Sequence, residues 1–213
     1  MYSISQILPF LIIICNVVIS MQGFSNGDFF NKYKFSVAGV QKGQYYRLIT
    51  SGFLHADWQH LLFNMLTLYF FSDSLIAIIG GVNYLILYFL ALVLGNALSL
   101  YFYRRQPYYT AVGASGAVVG ILYSFILFEP QARILVFILP MPAYLFGIAY
   151  LLYSLYGMKA KSDNIGHSAH FGGAIAGFAF TLFIYPELWL IHRGTVLLLL
   201  IPIVLLFVLR KQL

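Results

Sequence analysis

The sequence predicts an all-α polytopic membrane protein from three observations: a very apolar composition, a series of long apolar runs, and turn residues that separate those runs. Of the 213 residues, 62% are hydrophobic and 8% are charged, and the mean hydropathy is +0.88. A soluble domain carries roughly a quarter of its residues as charged side chains. The 12 basic and 6 acidic residues of this chain are too few to cover a soluble surface, so lipid must be its main solvent.

Seven apolar runs approach the length of a membrane-spanning helix, which is about 20 residues. They are 7–23, 58–79, 84–103, 115–128, 134–156, 167–185 and 195–209. Glycine, proline or charged residues separate most of these runs, as at Gly80 with Gly81 and at Glu129 with Pro130. No internal repeat or low-complexity tract is visible, so residues 1–213 are expected to form a single transmembrane domain.

Segments outside these runs carry three further expectations. The first run has no basic segment before it and no small-residue cleavage site after it, so it is expected to be retained as a span. The connection 24–56 is unusually long for a compact bundle, and such segments commonly cover or shape a site. The basic residues are scattered rather than gathered on one face, which favours anchoring beside lipid headgroups and argues against a nucleic-acid partner.

Polar side chains inside the spans are the most informative residues, because placing them in hydrocarbon is costly. His60 and Asn64 lie four residues apart in the second run and therefore project from the same helix face. Both can donate hydrogen bonds to a common point, which suits a developing oxyanion. The alternative is that they bond neighbouring helices in a purely structural role.

A serine among glycines opens the fourth run. Gly113, Gly116 and Gly120 flank Ser115, and glycines permit tight turns and close approach of a second helix. A serine at a helix start commonly caps the helix. With so little bulk around it, the same hydroxyl can instead act as a nucleophile, with backbone N–H groups at the helix start helping to bind an oxyanion.

A histidine pair and a second glycine motif lie on the sixth run. His167 and His170 are three residues apart, and Gly173 and Gly177 form a GxxxG pair. This pair predicts close packing against another glycine-faced helix, for which the helix of Ser115 is the natural candidate. That contact would bring His170 within reach of the serine hydroxyl.

At these residues the chain resembles the rhomboid family of intramembrane serine proteases. The family signature is a His-x-x-x-Asn pair, a Gly-x-Ser-Gly and an Ala-His followed by Gly, on the second, fourth and sixth spans. The corresponding residues here are His60 with Asn64, Gly113 to Gly116, and Ala169 to Gly173. The resemblance implies a rhomboid-like six-helix core at about 41–186, with the run 195–209 as an additional seventh span.

The resemblance also implies a reaction. Ser115 would attack the scissile carbonyl and His170 would act as general base, without a carboxylate and without a cofactor or metal. His60, Asn64 and the backbone of Gly113 and Ala114 would hold the oxyanion. The substrates would be transmembrane proteins, cleaved in a water-filled cavity that opens to the extracytoplasmic side, and the location would be the inner membrane of a bacterium.

Two departures from the family pattern concern single positions. Val119 stands four residues after the serine, where the family often has an aromatic ring stacked on the histidine. The sequence therefore leaves open what packs on His170. The family often has an acidic residue after the second span, and the nearest one here is Asp73.

The basic residues argue against the family orientation. In that orientation, ten of the twelve lie outside and only Arg133 and Arg193 lie inside, which opposes the usual excess of Lys and Arg in cytoplasmic loops. The family orientation and the charge distribution thus predict opposite orientations in the membrane. The sequence also leaves the oligomeric state open.

Two other functions compete with the serine protease. Five histidines could supply ligands for a seven-span metal-dependent hydrolase, although the chain has no HExxH motif. They are His55, His60, His167, His170 and His192. A non-catalytic relative that binds transmembrane clients is the other alternative, but such a protein would be expected to have lost the serine or the histidine.

Overall fold

The computed structural model describes residues 4–136, 139–160 and 165–212. In this part of the chain the α-helices are α1 Ile4–Ser25, α2 Gly27–Tyr33, α3 Val37–Gln41, α4 Arg47–Thr50, α5 Trp58–Tyr103, α6 Ser115–Phe128, α7 Ala143–Ala160, α8 His167–Ile184, α9 Leu188–Ile191 and α10 Arg193–Leu209. The short strands are β1 Phe35–Ser36, β2 Thr110–Ala111, β3 Arg133–Val136 and β4 Leu139–Pro142. Helices α1, α5 and α8 are long and apolar enough to cross a membrane, and α6 and α10 are shorter apolar helices.

Helix α5 is two spans joined by a reversal at Gly80. A straight helix of its 46 residues would be about 70 Å long, more than twice the roughly 30 Å of a bilayer core. Gly80 has φ 78° and ψ 158°, a conformation that side chains strongly disfavour. The Ser72 and Tyr84 hydroxyl oxygens are 2.6 Å apart, which is possible only if the chain folds back. The predicted boundary between the second and third spans is confirmed, and we call residues 58–79 and 81–103 the first and second arms of α5.

Helix α6 forms the centre of the bundle. Every residue from Gly116 to Leu127 is buried, and α6 packs against α5, α7 and α8. Its 14 residues rise about 21 Å, less than the bilayer core, so one of its ends must lie below the membrane surface.

Glycines bring the backbones of α6 and α8 into direct contact. A Cβ added at Gly173 would collide with the Gly116 carbonyl oxygen, and one added at Gly177 would collide with that of Gly120. The predicted packing of these two glycine-faced helices is therefore confirmed. This contact determines how far the side chains at the starts of α6 and α8 lie from each other.

The long connection 24–56 is structured and lies over the end of the bundle where α6 begins. Its strand β1 pairs antiparallel with β2, with Phe35 opposite Ala111. The Arg47 guanidinium donates hydrogen bonds to the carbonyl oxygens of Asn31 and Lys34 at 3.0 and 2.7 Å and to the Gln44 side chain at 2.6 Å. These bonds fasten the segment above the helices.

The prediction of a helix over 134–156 is wrong in its first part. Strands β3 and β4, Arg133–Val136 and Leu139–Pro142, pair antiparallel with Arg133 opposite Pro142, and α7 begins only at Ala143. Pro140 and Pro142 explain the difference, because proline lacks the N–H that a helix needs and disfavours helical backbone in the residue before it. Residues 137 and 138, which the predicted helix included, lie outside the described part.

The segment predicted as a seventh span forms the apolar helix α10, which packs on α7. The Arg210 guanidinium donates a hydrogen bond to the Tyr101 hydroxyl at 3.5 Å, so α10 ends at the same end of the bundle as α5. The alternation of the spans also places most basic residues at this end, where α6 begins. They are Lys32, Lys34, Lys42, Arg47, Arg104, Arg105, Lys159, Arg210 and Lys211, while Arg133 and Arg193 lie at the other end.

Candidate active site

Ser115 and His170 are in hydrogen-bond contact. The distance between His170 Nε2 and Ser115 Oγ is 2.9 Å. Ser115 is the first residue of α6 and is half-buried, whereas His170 lies in the first turn of α8 and is 4% exposed. The N-cap of α6 is Ala114, which makes no side-chain capping bond, so the serine hydroxyl is directed at the imidazole rather than used as a helix cap.

Two hydroxyl groups of α7 face the other side of the His170 ring. The Tyr150 and Ser154 hydroxyl oxygens lie 3.2 and 3.3 Å from His170 Nδ1. The Tyr150 ring is also 5.2 Å from the imidazole and inclined by 35°, so it is an aromatic neighbour of His170, whereas Val119 is buried in the core. Sequence analysis did not find these residues, although two polar groups four apart in an apolar span were a usable signal.

His60 lies beside the start of α6, and Asn64 lies one helical turn further along the first arm of α5. The His60 ring is packed so closely on Gly113 that a Cβ there would lie 2.5 Å from His60 Cε1. The Ala56 N–H donates to His60 Nδ1 at 3.5 Å, which leaves the proton of the neutral ring on Nε2 as a donor. Asn64 is 6% exposed, and its Nδ2 has no hydrogen-bond partner among the described residues. Both side chains therefore offer hydrogen-bond donors.

The backbone amides of Gly113 and Ala114, which the sequence predicts as oxyanion donors, each have a hydrogen-bond acceptor in the structure. The Gly113 N–H donates to the Ser51 carbonyl oxygen at 3.0 Å, and the Ala114 N–H donates to His55 Nε2 at 3.4 Å. Their role is to fix the loop. The Ser115 N–H, at the first helical position, has no acceptor within its own helix, so it remains available as a donor.

His55 fixes that loop as a neutral imidazole. Burial lowers the pKa of His55 to about 3, with the neighbouring His60 adding to the effect and Asp57 opposing it. Nδ1 lies 2.8 Å from Ser20 Oγ, and that hydroxyl donates to the Phe53 carbonyl oxygen at 2.9 Å. A neutral ring with its proton on Nδ1 satisfies every one of these bonds, so α1 is connected to the residue before Ser115.

Gly113→Ala is expected to abolish most activity of the site while leaving the bundle folded. Gly113 has φ +123°, which disfavours any side chain, and the added Cβ would displace the His60 ring. We expect a loss of about 100-fold in kcat/KM, the scale of one lost oxyanion donor. Gly43→Ala is the matched control, because Gly43 has φ 86° with open space around it. Equal activity of the two variants would show that His60 placement does not matter.

A cleft of about 480 Å³ opens between the long connection and the starts of α6 and α8. It reaches His60, which packs on Gly113, and His167, whose ring centre is 5.8 Å from that of His170. Its other lining residues include Phe30, Lys34, Ala56, Tyr103, Gln106, Tyr109, Ala111, Val112, Met158 and Gly166. The cleft therefore ends close to the residues that flank Ser115 and His170.

The histidines do not form the ligand set that a metal-dependent hydrolase would need. His192 lies between α9 and α10, at the opposite end of the bundle from the other four. Within residues 4–136, 139–160 and 165–212, no group of three His, Cys, Asp or Glu side chains lies close enough together to hold a metal ion. The positions of the side chains therefore give this alternative no support.

Comparison with known proteins identifies a family. The family model described as Rhomboid domain matches residues 42–187. The chain is 32% identical over 142 residues to Rhomboid protein 1, mitochondrial, of Saccharomyces cerevisiae, covering 64% of this chain and 41% of the relative. It is 32% identical over 187 residues to RHOMBOID-like protein 12, mitochondrial, of Arabidopsis thaliana, covering 79% and 55%.

A bacterial relative is similar to the same degree. The chain is 33% identical over 143 residues to the Bacillus subtilis protein YdcA, whose name marks it as a candidate rhomboid protease, covering 66% of this chain and 67% of the relative. The chain spans about half the length of the two mitochondrial relatives. Since the family model covers well over half of the chain, this multi-pass membrane protein belongs to the rhomboid family.

Proposed function

We propose that the protein is an intramembrane serine endopeptidase that hydrolyses peptide bonds in or near the transmembrane segments of other membrane proteins. The observation that carries this proposal is the 2.9 Å contact between His170 Nε2 and Ser115 Oγ at the buried start of the central helix. A serine hydroxyl is a weak nucleophile until a base within hydrogen-bond distance accepts its proton. The contact between Ser115 and His170 is the arrangement that this activation requires.

The dyad would carry out the reaction in two halves. Ser115 Oγ attacks the scissile carbonyl carbon while its proton moves to His170 Nε2, and the imidazolium then donates that proton to the leaving amine. The product of this half is an ester between Ser115 and the substrate acyl group. In the second half His170 deprotonates a water molecule, which attacks the ester and releases the acid and the free serine.

Three donors would stabilise the oxyanion that forms on the carbonyl oxygen. They are the Nε2–H of His60, the Nδ2 group of Asn64 and the N–H of Ser115. Donors that are already oriented in a site with little water stabilise developing charge strongly, because they need no reorganisation during the reaction. The packing of His60 on Gly113 and the burial of Asn64 provide that orientation.

Asn64→Ala is expected to lower kcat by about 100- to 1000-fold with a smaller change in KM, because one oxyanion-hole donor contributes roughly this factor. The effect should be confined to rate, since the Asn64 Nδ2 group makes no hydrogen bond among the described residues whose loss would destabilise the fold. Steady-state kinetics on one substrate give both constants. Asn83→Ala is the control, because the Asn83 amide donates to the Ile79 carbonyl oxygen across the reversal at Gly80, at the other end of the bundle from Ser115. A kcat for Asn64→Ala equal to that of Asn83→Ala would exclude Asn64 from the oxyanion site.

A lateral groove supports a transmembrane substrate. It has a volume of about 650 Å³ and lies between the first arm of α5, the strand pair β3–β4 and α7. Its lining is almost entirely apolar: Phe63, Leu66, Thr67, Phe70, Phe71, Phe125, Ala132, Arg133, Ile134, Leu135 and Phe146. An apolar groove on the lipid-facing side suits a hydrophobic helix better than a water-soluble peptide.

The relatives identify the family of this protein, but they do not identify the membrane that contains it. Two of the three relatives are named as mitochondrial and one comes from a bacterium. The relatives therefore do not favour the expected bacterial inner membrane over a mitochondrial one.

The test of the proposal is cleavage in a defined bilayer. The purified protein would be reconstituted in liposomes with a panel of single-span reporter proteins, and products would be mapped by mass spectrometry. We expect new termini in or near the reporter's membrane segment with the wild-type protein and none with Ser115→Ala. Reporters that bind without being cut by either protein would support a non-catalytic client-binding function instead.

A further inference from the structure

The His170 ring is contacted on both of its nitrogens, and this arrangement determines its tautomer. Nε2 can accept the Ser115 hydroxyl proton only if it carries no proton of its own, so the proton of the neutral ring must be on Nδ1. Nδ1 faces the hydroxyl oxygens of Tyr150 and Ser154, at 3.2 and 3.3 Å. Both oxygens can accept the Nδ1–H. The Tyr150 hydroxyl oxygen also lies 3.5 Å from Nε2, but its shorter contact is with Nδ1, and the Ser154 hydroxyl contacts Nδ1.

We propose that Tyr150 and Ser154 are positioning residues that hold His170 in the tautomer and orientation needed to deprotonate Ser115. This inference rests on the proposed hydrolase function. In soluble serine proteases an aspartate bonded to Nδ1 has this role. Helices α6, α7 and α8 carry no Asp or Glu, and two neutral hydroxyls stand where that carboxylate would be.

The local structure of α7 brings both hydroxyls to the same ring. Tyr150 and Ser154 are one helical turn apart and share a face. Gly157, three residues further on the same face, has no side chain, and a Cβ there would collide with the His167 ring. α7 can therefore approach the first turn of α8 closely enough for direct hydrogen bonds to His170.

A separate hydrogen bond keeps α7 at this distance. The Tyr123 hydroxyl of α6 donates to the Gly147 carbonyl oxygen of α7 at 2.9 Å, within the buried core. This bond joins α6 and α7 without touching His170. It provides a control that weakens the packing of α7 on the bundle and leaves the imidazole contacts in place.

The two hydroxyls are expected to substitute partly for each other. Either oxygen alone still gives Nδ1–H an acceptor, whereas loss of both removes both of these acceptors and allows the proton to move to Nε2, where it blocks Ser115. Tyr150→Phe and Ser154→Ala should therefore each lower kcat by roughly 3- to 10-fold, the scale of one neutral hydrogen bond. The double variant should lose about 100-fold or more, because contacting groups in one network are not additive.

The experiment measures kcat and KM for the two single variants, the double variant and Tyr123→Phe. Labelling of Ser115 by a fluorophosphonate probe is measured in parallel, because it reports activation of the hydroxyl without a substrate. We expect losses in kcat and in labelling rate with little change in KM, and a more than additive loss in the double variant. Tyr123→Phe should lower the thermal stability and keep the wild-type kcat.

A purely structural role predicts a different pattern. If the hydroxyls only held helices together, the Tyr150 and Ser154 variants would behave like Tyr123→Phe, with lower stability and unchanged labelling of the folded fraction. A double variant that labels at the wild-type rate overturns the proposal. Tyr150→Phe removes a single oxygen, so it keeps the test valid even where the double variant does not fold.

A spectroscopic readout examines the tautomer directly. Nitrogen NMR of protein labelled at its histidines distinguishes a protonated from an unprotonated ring nitrogen. The wild-type His170 should show a protonated Nδ1 and a free Nε2, and the double variant should show a shifted ratio. An unchanged ratio would contradict the inference, whereas absence of any Ser115 labelling in the wild-type protein would contradict the hydrolase function itself.

Discussion

Replacing either Ser115 or His170 by alanine is expected to abolish proteolysis while leaving the bundle folded. In a soluble serine protease, loss of the nucleophile or of the base lowers kcat by about a million-fold. The same order is expected here, because Ser115 Oγ has His170 Nε2 at 2.9 Å and neither residue can act without the other. The measurement is the initial rate of reporter cleavage in liposomes, together with thermal unfolding in detergent.

The matched control for this pair is Ser124→Ala. Ser124 is also a buried serine of α6 and also faces α8, where it accepts a hydrogen bond from the Thr181 hydroxyl at 2.7 Å. Its loss should reduce stability slightly and leave turnover unchanged. A His170→Ala protein that turns over at the rate of Ser124→Ala would exclude the dyad.

Gly173→Leu is expected to reduce activity by about 100-fold or more through geometry alone, since displacement of reacting groups by 1 Å can have this effect. Gly173 touches the Gly116 carbonyl oxygen with no room for a Cβ, so a leucine must push α8 away from α6. Gly116 follows Ser115 directly, and Gly173 lies one helical turn after His170. The separation should therefore lengthen the contact between the serine and the imidazole.

Gly194→Leu is the control that separates the displacement of α8 from the general effect of replacing a helical glycine by leucine. Gly194 lies in α10, where a Cβ would meet nothing within 4 Å. That variant should keep wild-type turnover and stability, whereas Gly173→Leu should lose both in part, with overpacking costs of about 1–3 kcal/mol. Wild-type turnover of Gly173→Leu would show that the backbone contact does not set the geometry of the dyad.

The parts of the site that sequence reasoning predicted share one property. Polar side chains in apolar runs and glycines at a spacing of four can both be recognised without knowledge of the fold. A polar side chain is costly in hydrocarbon, and a glycine pair at this spacing indicates close packing of a second helix. His60, Asn64, Ser115 and His170 were singled out as candidates in this way, and the GxxxG pair indicated which two helices touch.

The parts that sequence reasoning missed depend on tertiary contacts. The amides of Gly113 and Ala114 are occupied by Ser51 and His55, two partners from a distant loop that no local pattern reveals. The pairing of Tyr150 with His170 likewise depends on the approach of α7 to α8. The strand pair β3–β4 is different, because apolar residues alone fit strand and helix equally well, and its two prolines were the signal to follow.

The central claim is that His170 activates Ser115 inside the membrane bundle, and covalent labelling tests it most directly. Wild-type protein in liposomes would be treated with a fluorophosphonate probe, and the modified residue would be mapped by mass spectrometry. We predict that Ser115 is labelled, that none of the other serines reacts, and that His170→Ala removes the label. Absence of label at Ser115, or equal labelling of Ser115 in His170→Ala, would contradict the claim.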